Sequence, residues 1–187
     1  MSSTRTFGSG THTFGQRLAL ARQGQEALRQ VLAMHGFSVT ETGQELWLAR
    51  AVHDDLRFDH ADRMARAVRY LPDFLVYKRG FPLAFWEAKV NSRQSFTTGN
   101  YAIERACYEE QMARVQKGER VVIAWMEEVD GSWGANWVER LPILRDLSAQ
   151  RHAADGSHTP FLLIEKRQAV PLPAFLRGEP EAPLRVP

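Results

Sequence analysis

The sequence predicts an α/β fold in which a mixed β-sheet is flanked by helices. Three observations support this prediction: a helical spacing of apolar residues near the start of the chain, two strand-like segments joined by a turn, and a later apolar run of strand length. Because 187 residues are enough to bury a core without disulfides or a structural metal, one domain is expected.

We expect this domain to span residues 14–167. Residues 1–13 are rich in Ser, Thr and Gly and are expected to be disordered, whereas residues 168–187 contain five prolines and are expected to lie extended over the surface. No apolar segment has the length of a membrane span or the character of a signal peptide. With a single cysteine as well, the sequence favours a cytoplasmic protein that does not contact the membrane.

The predicted elements follow the order α-β-(α)-β-β-α-β. Apolar residues recur at helical spacing in the first helix, and Gly36 stops it; Asn100 is a plausible N-cap for a later helix. The predicted helices are Phe14 to His35, Asp59 to Tyr70, Tyr101 to Lys117 and Leu141 to Ala149. The predicted strands are Glu45 to Val52, Phe74 to Tyr77, Pro82 to Val90, Arg120 to Met126 and Phe161 to Glu165.

The turn between the second and third strands fixes which residues meet. A three-residue loop over Arg79 to Phe81 places Lys78 opposite Pro82, and counting back then places Asp73 opposite Glu87. A slip of one residue would turn Asp73 towards the apolar face of the third strand. We therefore predict that the two carboxylates share one face.

Two carboxylates in this position repel each other unless a divalent cation lies between them. Alternation along the strand places Lys89 on the same face as Glu87, beside any oxygen that such a cation would bind. An acid pair with a lysine is suited to metal-assisted hydrolysis, in which the cation polarises a phosphate oxygen and the lysine steadies charge. The alternative for Asp73 and Glu87 is a set of structural salt bridges to Lys78, Lys89 or Arg79.

These residues resemble a known signature. Pro72 and Asp73, thirteen intervening residues, then Glu87, Ala88 and Lys89 are similar to the motif of the PD-(D/E)XK nuclease superfamily, which has an αβββαβ restriction endonuclease-like core. The resemblance covers roughly residues 14–126. It implies a nuclease that hydrolyses phosphodiester bonds in DNA with Mg²⁺ or Mn²⁺.

The resemblance also implies roles for single residues. Asp73, Glu87 and Lys89 would be catalytic, and Asp73, Glu87 and the backbone carbonyl of Ala88 would bind the metal. Glu26 on the first helix is a further candidate metal ligand, for which the alternative is a solvent-facing residue that pairs with Arg22 or Arg29. Auxiliary roles fall to Gln111 and Tyr108, for which the alternative is the polar flank of an amphipathic helix.

Positive charge is concentrated near this motif. The chain carries a formal charge of only +2, but residues 57–93 hold eight basic and four acidic residues. This local excess, with the polar loop that follows Lys89, predicts a surface that contacts phosphates. The predicted nucleic-acid contacts are Arg57, Arg63, Arg66, Arg69, Ser92, Arg93 and Thr97.

Two other functions stay open from the sequence: a non-catalytic nucleic-acid-binding or assembly module with the same fold, and a member that cleaves RNA. The intact acid, acid and lysine set counts against the first of these. The sequence leaves open whether the chain acts as a monomer or a homodimer.

Overall fold

The computed structural model describes residues 14–42, 67–91, 100–146 and 160–178. The helices in this part of the chain are α1 (Phe14–Met34), α2 (Arg105–Gln116) and α3 (Leu172–Gly178). The strands are β1 (Ser38–Glu41), β2 (Phe74–Lys78), β3 (Phe81–Asn91), β4 (Asn100–Glu104), β5 (Val121–Glu127), β6 (Trp133–Trp137), β7 (Ile143–Asp146), β8 (Phe161–Glu165) and β9 (Val170–Pro171). Single 3₁₀ turns occupy Val138–Arg140 and Lys166–Gln168.

The strands form two sheets. The larger has the order β1-β2-β3-β5-β6-β9, and the smaller has the order β4-β8-β7. Strands β3 and β5 are parallel, while the other neighbours are antiparallel, so the large sheet is mixed as predicted. The chain between β3 and β5 contains β4 and α2, which is the kind of long connection that a parallel pair requires.

Both faces of the large sheet are covered, and β5 shows this most directly. Its residues Val122 and Ala124 lie in one apolar cluster with residues of α1 and α3, whereas Ile123 and Trp125 lie in a second cluster with residues of α2 and the smaller sheet. A strand buried on both faces needs apolar side chains at consecutive positions, which explains the unbroken apolar run in the sequence.

Helix α1 confirms the first predicted helix. It begins at Phe14 and ends at Met34, one residue before the predicted end. Leu28 and Leu32 are fully buried against the sheet, and Gly36 follows the helix with a φ of 79°. A glycine adopts this left-handed conformation without steric cost, so it ends the helix as expected.

The hairpin between β2 and β3 differs from the prediction in its turn. The loop has two residues, Arg79 and Gly80, and both have positive φ, 53° and 82°. Positive φ at both central positions is the requirement of a type I′ turn, whose twist matches that of the strands. Lys78 therefore pairs with Phe81, and the predicted three-residue loop is wrong.

A β-bulge restores the predicted register further along the hairpin. Tyr77 pairs with Pro82, but Val76 pairs with Ala84, so Leu83 is an extra residue on β3. The shorter turn and the bulge offset each other, and Phe74 pairs with Trp86. The next step in this register sets Asp73 opposite Glu87, as the sequence predicted.

Two predicted helices are wrong in part or entirely. Asn100 does not cap a helix but begins β4, and α2 starts only at Arg105, because Tyr101 and Ile103 alternate inward and pair with β8. Residues 143–146, predicted as helix, form strand β7 on the other edge of β8. In both places pairing with β8 outweighs the local helical pattern.

The segment after Gln168 was predicted to lie extended over the surface, which is wrong for residues 172–178, since they form a helix. Val170 and Pro171 form the edge strand β9 and pair with β6, and α3 buries Leu172, Phe175 and Leu176 in the first apolar cluster. Proline is compatible with both elements, because Pro171 lies in a two-residue edge strand and Pro173 in the first helical turn.

Several predictions fall outside the residues that the structure describes. These are the strand Glu45 to Val52, the disordered segment 1–13 and most of the helix Asp59 to Tyr70, of which residues 67–70 are described, with 67–69 helical. In the described part of the chain, no helix has the length and apolar character needed to cross a membrane.

Candidate active site

Asp73 lies directly before β2, at the point where the pairing of β2 with β3 ends. Its Oδ2 accepts a hydrogen bond from the backbone N–H of Ala88 at 2.7 Å, and its Oδ1 accepts one from Nε2 of Gln25 on α1, also at 2.7 Å. Both carboxylate oxygens are therefore bonded to neutral donors, one from the sheet and one from the helix.

The backbone before Asp73 is also fixed by hydrogen bonds. Nε2 of Gln111 donates to the carbonyl of Tyr70 at 2.8 Å, and Oγ1 of Thr42 donates to the carbonyl of Pro72 at 2.5 Å. The N–H of Thr42 donates to the carbonyl of Asp73 itself at 2.8 Å. These contacts from α2 and from the end of β1 fix the short segment that carries the first acid.

Glu87 lies in the middle of β3 and is only 6% exposed. Its Oε1 accepts a hydrogen bond from Nζ of Lys89 at 2.5 Å and faces the Sγ of Cys107 on α2 at 3.7 Å. Its Oε2 is buried and has no hydrogen-bond partner among the described residues. A buried carboxylate oxygen without a donor is costly, and a bound cation would satisfy it.

The pKa of Asp73 is raised to about 8. Burial is the main cause and the neighbouring Glu87 carboxylate is the second, and together they outweigh the opposing effects of Lys89, Ala88 and Gln25. Without a metal ion, the carboxylate pair therefore retains a proton at neutral pH.

Lys89 is partly buried, and burial by itself would lower its pKa. The acidic groups of Cys107, Glu87 and Asp73 have the larger combined effect and raise the pKa of Lys89 well above its ordinary value. Its ammonium group is therefore charged at neutral pH and lies beside the acid pair.

The donors at this site fit a hard divalent cation. Asp73 and Glu87 supply two carboxylates, and the carbonyl of Ala88 points to the same side of β3 as the N–H that bonds Asp73, as strand geometry requires. No group of three or more His, Cys, Asp or Glu residues arranged for a metal occurs in the described segments. A few oxygen ligands with several water positions suit Mg²⁺, which keeps much of its hydration.

Glu26, the further candidate metal ligand, is not directed into this site. Its carboxylate is exposed and bonded to Arg29 at 2.6 Å and to Gln30 at 2.8 Å, which is the solvent-facing alternative that the sequence left open. The preceding residue, Gln25, contacts Asp73 instead. The sequence indicated that Gln25, and not Glu26, faces the sheet. Positions 25, 28 and 32 follow the helical spacing of the buried stripe, and position 26 does not.

The two auxiliary candidates are placed differently. Gln111 is fully buried and contacts the backbone before Asp73, whereas Tyr108 packs against the second apolar cluster and burial raises its pKa. Cys107, for which sequence analysis found no role, lies against Glu87. Its position one helical turn before Gln111 on α2 was the only sequence signal for this contact.

Of the predicted nucleic-acid contacts, only Arg69 lies within the described residues. Its guanidinium lies 3.9 Å from the Glu104 carboxylate and 5.2 Å from the centre of the Tyr70 ring, and 19% of its side chain is exposed. Arg69 is thus engaged with the protein, which leaves little of it for phosphate contacts. The other predicted contacts lie outside the described residues: Arg57, Arg63, Arg66, Ser92, Arg93 and Thr97.

Comparisons with known proteins support the fold in which this site lies. No family model and no curated protein sequence matches the chain. Among solved structures, the chain is similar to Hjc, a Holliday junction resolvase from Archaeoglobus fulgidus, with a TM-score of 0.50 and 10% sequence identity, over 84% of this chain and 96% of the resolvase. The chain has the restriction endonuclease-like fold. A nuclease from a fusselovirus also aligns, with a TM-score of 0.44 and 15% identity, over 89% of this chain and 92% of the viral protein.

The fold that the PD-(D/E)XK resemblance implied is therefore confirmed. In this restriction endonuclease-like core, Asp73 lies directly before β2 and Glu87 and Lys89 lie on the neighbouring strand β3, as the signature requires. At 10% identity the resolvase supports the fold alone, so any activity must be argued from the site itself.

Proposed function

We propose that this chain is a metal-dependent nuclease that hydrolyses phosphodiester bonds in DNA in the cytoplasm. The observation that carries the proposal is the pairing of two acids, Glu87 buried and Asp73 partly buried, with one lysine. Asp73 is oriented by Ala88 and Gln25, and Glu87 is bonded to Lys89 while its second oxygen is without a donor. A purely structural ion pair would need one acid and one lysine; the second acid is costly unless a cation is bound.

The residues that would hold a Mg²⁺ or Mn²⁺ ion are Asp73, Glu87 and the carbonyl of Ala88. The chemistry that the bound cation supplies is polarisation of a phosphoryl oxygen and acidification of water. Asp73 presents its carboxylate in one orientation, because both oxygens are bonded to fixed donors. Glu87 holds the ammonium group of Lys89 at the site.

Lys89 acts on the charge that develops during hydrolysis. Its raised pKa keeps it cationic, so it stabilises negative charge on the phosphate in the transition state. Preorganised charge in a partly buried site is more effective than the same charge in water, because it needs no solvent reorganisation.

A nucleic-acid substrate is supported by the local charge excess in residues 57–93, and DNA is proposed because the PD-(D/E)XK resemblance implies it. We propose that the arginines at positions 57, 63, 66 and 93 contact phosphates, together with the polar residues Ser92 and Thr97. Arg69 is left out of this set, because its guanidinium lies 3.9 Å from the Glu104 carboxylate.

The experiment is a cleavage assay with the full chain. Linear, circular, single-stranded and four-way branched DNA, and an RNA of matched length, are each incubated in Mg²⁺, in Mn²⁺ and in EDTA. The test variant is Glu87→Gln, and the matched control is Glu109→Gln, which makes the same chemical change on the exposed face of α2 beside Arg105.

We expect the wild type and Glu109→Gln to cleave DNA with a divalent ion and not in EDTA, and Glu87→Gln to be inactive. DNA binding that needs no divalent ion, without cleavage and with no effect of Glu87→Gln, would show a non-catalytic module instead. Cleavage of RNA in preference to every DNA would overturn the proposed substrate and keep the proposed chemistry.

A further inference from the structure

Helix α1 approaches the sheet unusually closely at Gly24. A Cβ atom at this position would lie 2.6 Å from Cγ2 of Val90, which is too short for any real contact. Gly24 is buried, and Val90 follows Lys89 directly on β3. The absence of a side chain at position 24 therefore allows the helix to lie directly against the strand that carries the site.

This close approach brings Gln25 within reach of Asp73. The Nε2 of Gln25 lies 2.7 Å from Oδ1, while the N–H of Ala88 lies 2.7 Å from Oδ2. A carboxylate that accepts a hydrogen bond at each oxygen, from two elements that are themselves packed together, has its rotation fixed. Without Gln25, only the Ala88 contact would orient it.

The chemistry of an amide suits this role. A lysine or arginine in place of Gln25 would also donate to Asp73, but its charge would compete with a cation at the carboxylate. A neutral donor orients the acid and leaves its charge available. Gln30, on the same helix, makes a different contact, since its Nε2 donates to the exposed Glu26.

We propose that Gln25 is a positioning residue of the metal site, which sets the orientation of Asp73 and thereby the affinity for the divalent ion. This inference rests on the proposed function, because it assigns Gln25 a role in the same site. Gly24 contributes by bringing the helix close enough for the contact.

The test compares Gln25→Met with the matched control Gln30→Met, which makes the same change on the exposed side of α1. Methionine keeps the length of the side chain and removes the donor. Affinity for Mn²⁺ is measured by titration calorimetry of the full chain, and kcat and KM for DNA are measured over a range of Mn²⁺ concentrations. Thermal melting in EDTA shows whether each variant folds.

We expect Gln25→Met to bind Mn²⁺ about 10- to 100-fold more weakly, the range found when residues that orient metal ligands are removed. At limiting Mn²⁺ its kcat should fall while KM for DNA stays the same, and excess Mn²⁺ should restore much of the rate. Gln30→Met should match the wild type. A purely structural residue would not give a loss that excess Mn²⁺ restores.

If Gln25→Met does not fold, Gln25→Asn takes its place, because its shorter amide cannot reach Asp73 and the same weakening is expected. Equal Mn²⁺ affinity in the wild type and the folded variant would overturn the role of Gln25 and leave the proposed function intact. A wild type that binds no Mn²⁺ would overturn the proposed function, and the role of Gln25 with it.

Discussion

The two acids of the site have contrasting surroundings. Asp73 accepts hydrogen bonds at both oxygens from neutral donors, Gln25 on α1 and the backbone N–H of Ala88 on β3. Glu87 is contacted at Oε1 by the charged Lys89 on β3 and by Cys107 on α2. Asp73 is thus oriented by donors that carry no charge, and Glu87 is paired with a cationic group but has one oxygen without a donor among the described residues. We infer that the two acids have different roles: Asp73 is held in one orientation, and Glu87 holds the ammonium group of Lys89.

The strongest test of these roles is removal of either charge. We expect Asp73→Asn and Glu87→Gln each to reduce cleavage by about 10³-fold or more, since each removes a metal ligand worth several kcal/mol in the transition state. If the two acids act as one unit, the double variant should be no slower than either single variant. Cleavage rates at saturating Mn²⁺ measure this. If the activation free-energy losses of the two single variants add in the double variant, the two acids act independently.

Lys89→Met tests the role of the charged partner of Glu87. We expect cleavage to fall by about 10²-fold or more, because a preorganised positive charge near the phosphate is lost. Affinity for Mn²⁺ should stay the same or rise, since Glu87 no longer shares its charge with an ammonium group. Titration calorimetry with Mn²⁺ measures this directly. A loss of Mn²⁺ affinity together with activity would make Lys89 a structural partner of the acids.

The raised pKa of Asp73 predicts an unusual dependence of stability on pH. Its ordinary value is 3.8 and its value in the folded protein is about 8, so the folded state binds more protons between these limits. The free energy of unfolding should therefore fall as pH rises from about 4 to about 8 in EDTA. Asp73→Asn lacks this titrating carboxyl group. The difference in the free energy of unfolding between wild type and variant therefore reports the contribution of that group.

Urea unfolding of both proteins in EDTA at several pH values measures that difference. We expect Asp73→Asn to gain stability relative to the wild type as pH rises, and to be at least as stable as the wild type near neutral pH. A variant that becomes less stable relative to the wild type as pH rises would place Asp73 in a structural ion pair.

The smallest expected effect concerns Cys107. Its thiol is a weak donor at 3.7 Å from Glu87, so Cys107→Val should change the free energy of unfolding by less than about 1 kcal/mol and cleavage only slightly. Urea unfolding and cleavage rates of Cys107→Val check this, with Cys107→Ser as the variant that keeps a donor. A loss of cleavage in Cys107→Val that Cys107→Ser recovers would show that the thiol helps to orient Glu87.

Elements with one dominant local pattern could be predicted from the sequence. The buried stripe of α1 and the apolar run of β5 each have a single reasonable interpretation, and both were found nearly at their observed bounds. Strand β6 was missed because Gly134 and Asn136 interrupt its apolar residues, and its pairing with β5 depends on the rest of the sheet. Strand β4 was predicted as part of a helix, because its pairing with β8 likewise depends on residues far away in the sequence.

The candidate site was predicted in its acids and lysine but not in their partners. The register that sets Asp73 opposite Glu87 was reached through a wrong turn, because a shorter loop and a bulge at Leu83 offset each other. The core face of the strand constrained that register more strongly than the turn did. Gln25 and Cys107 were missed because contacts between a helix and a strand far apart in sequence have no local pattern.

The packing of α3 has a consequence for how the chain folds during synthesis. Phe175 contacts the rings of both Trp86 and Trp137, so the apolar surface of β3 and β6 stays open until the ribosome has made α3. Nascent chains with exposed apolar sheet surface are prone to aggregate. We therefore expect a product that is shortened before α3 to accumulate in inclusion bodies.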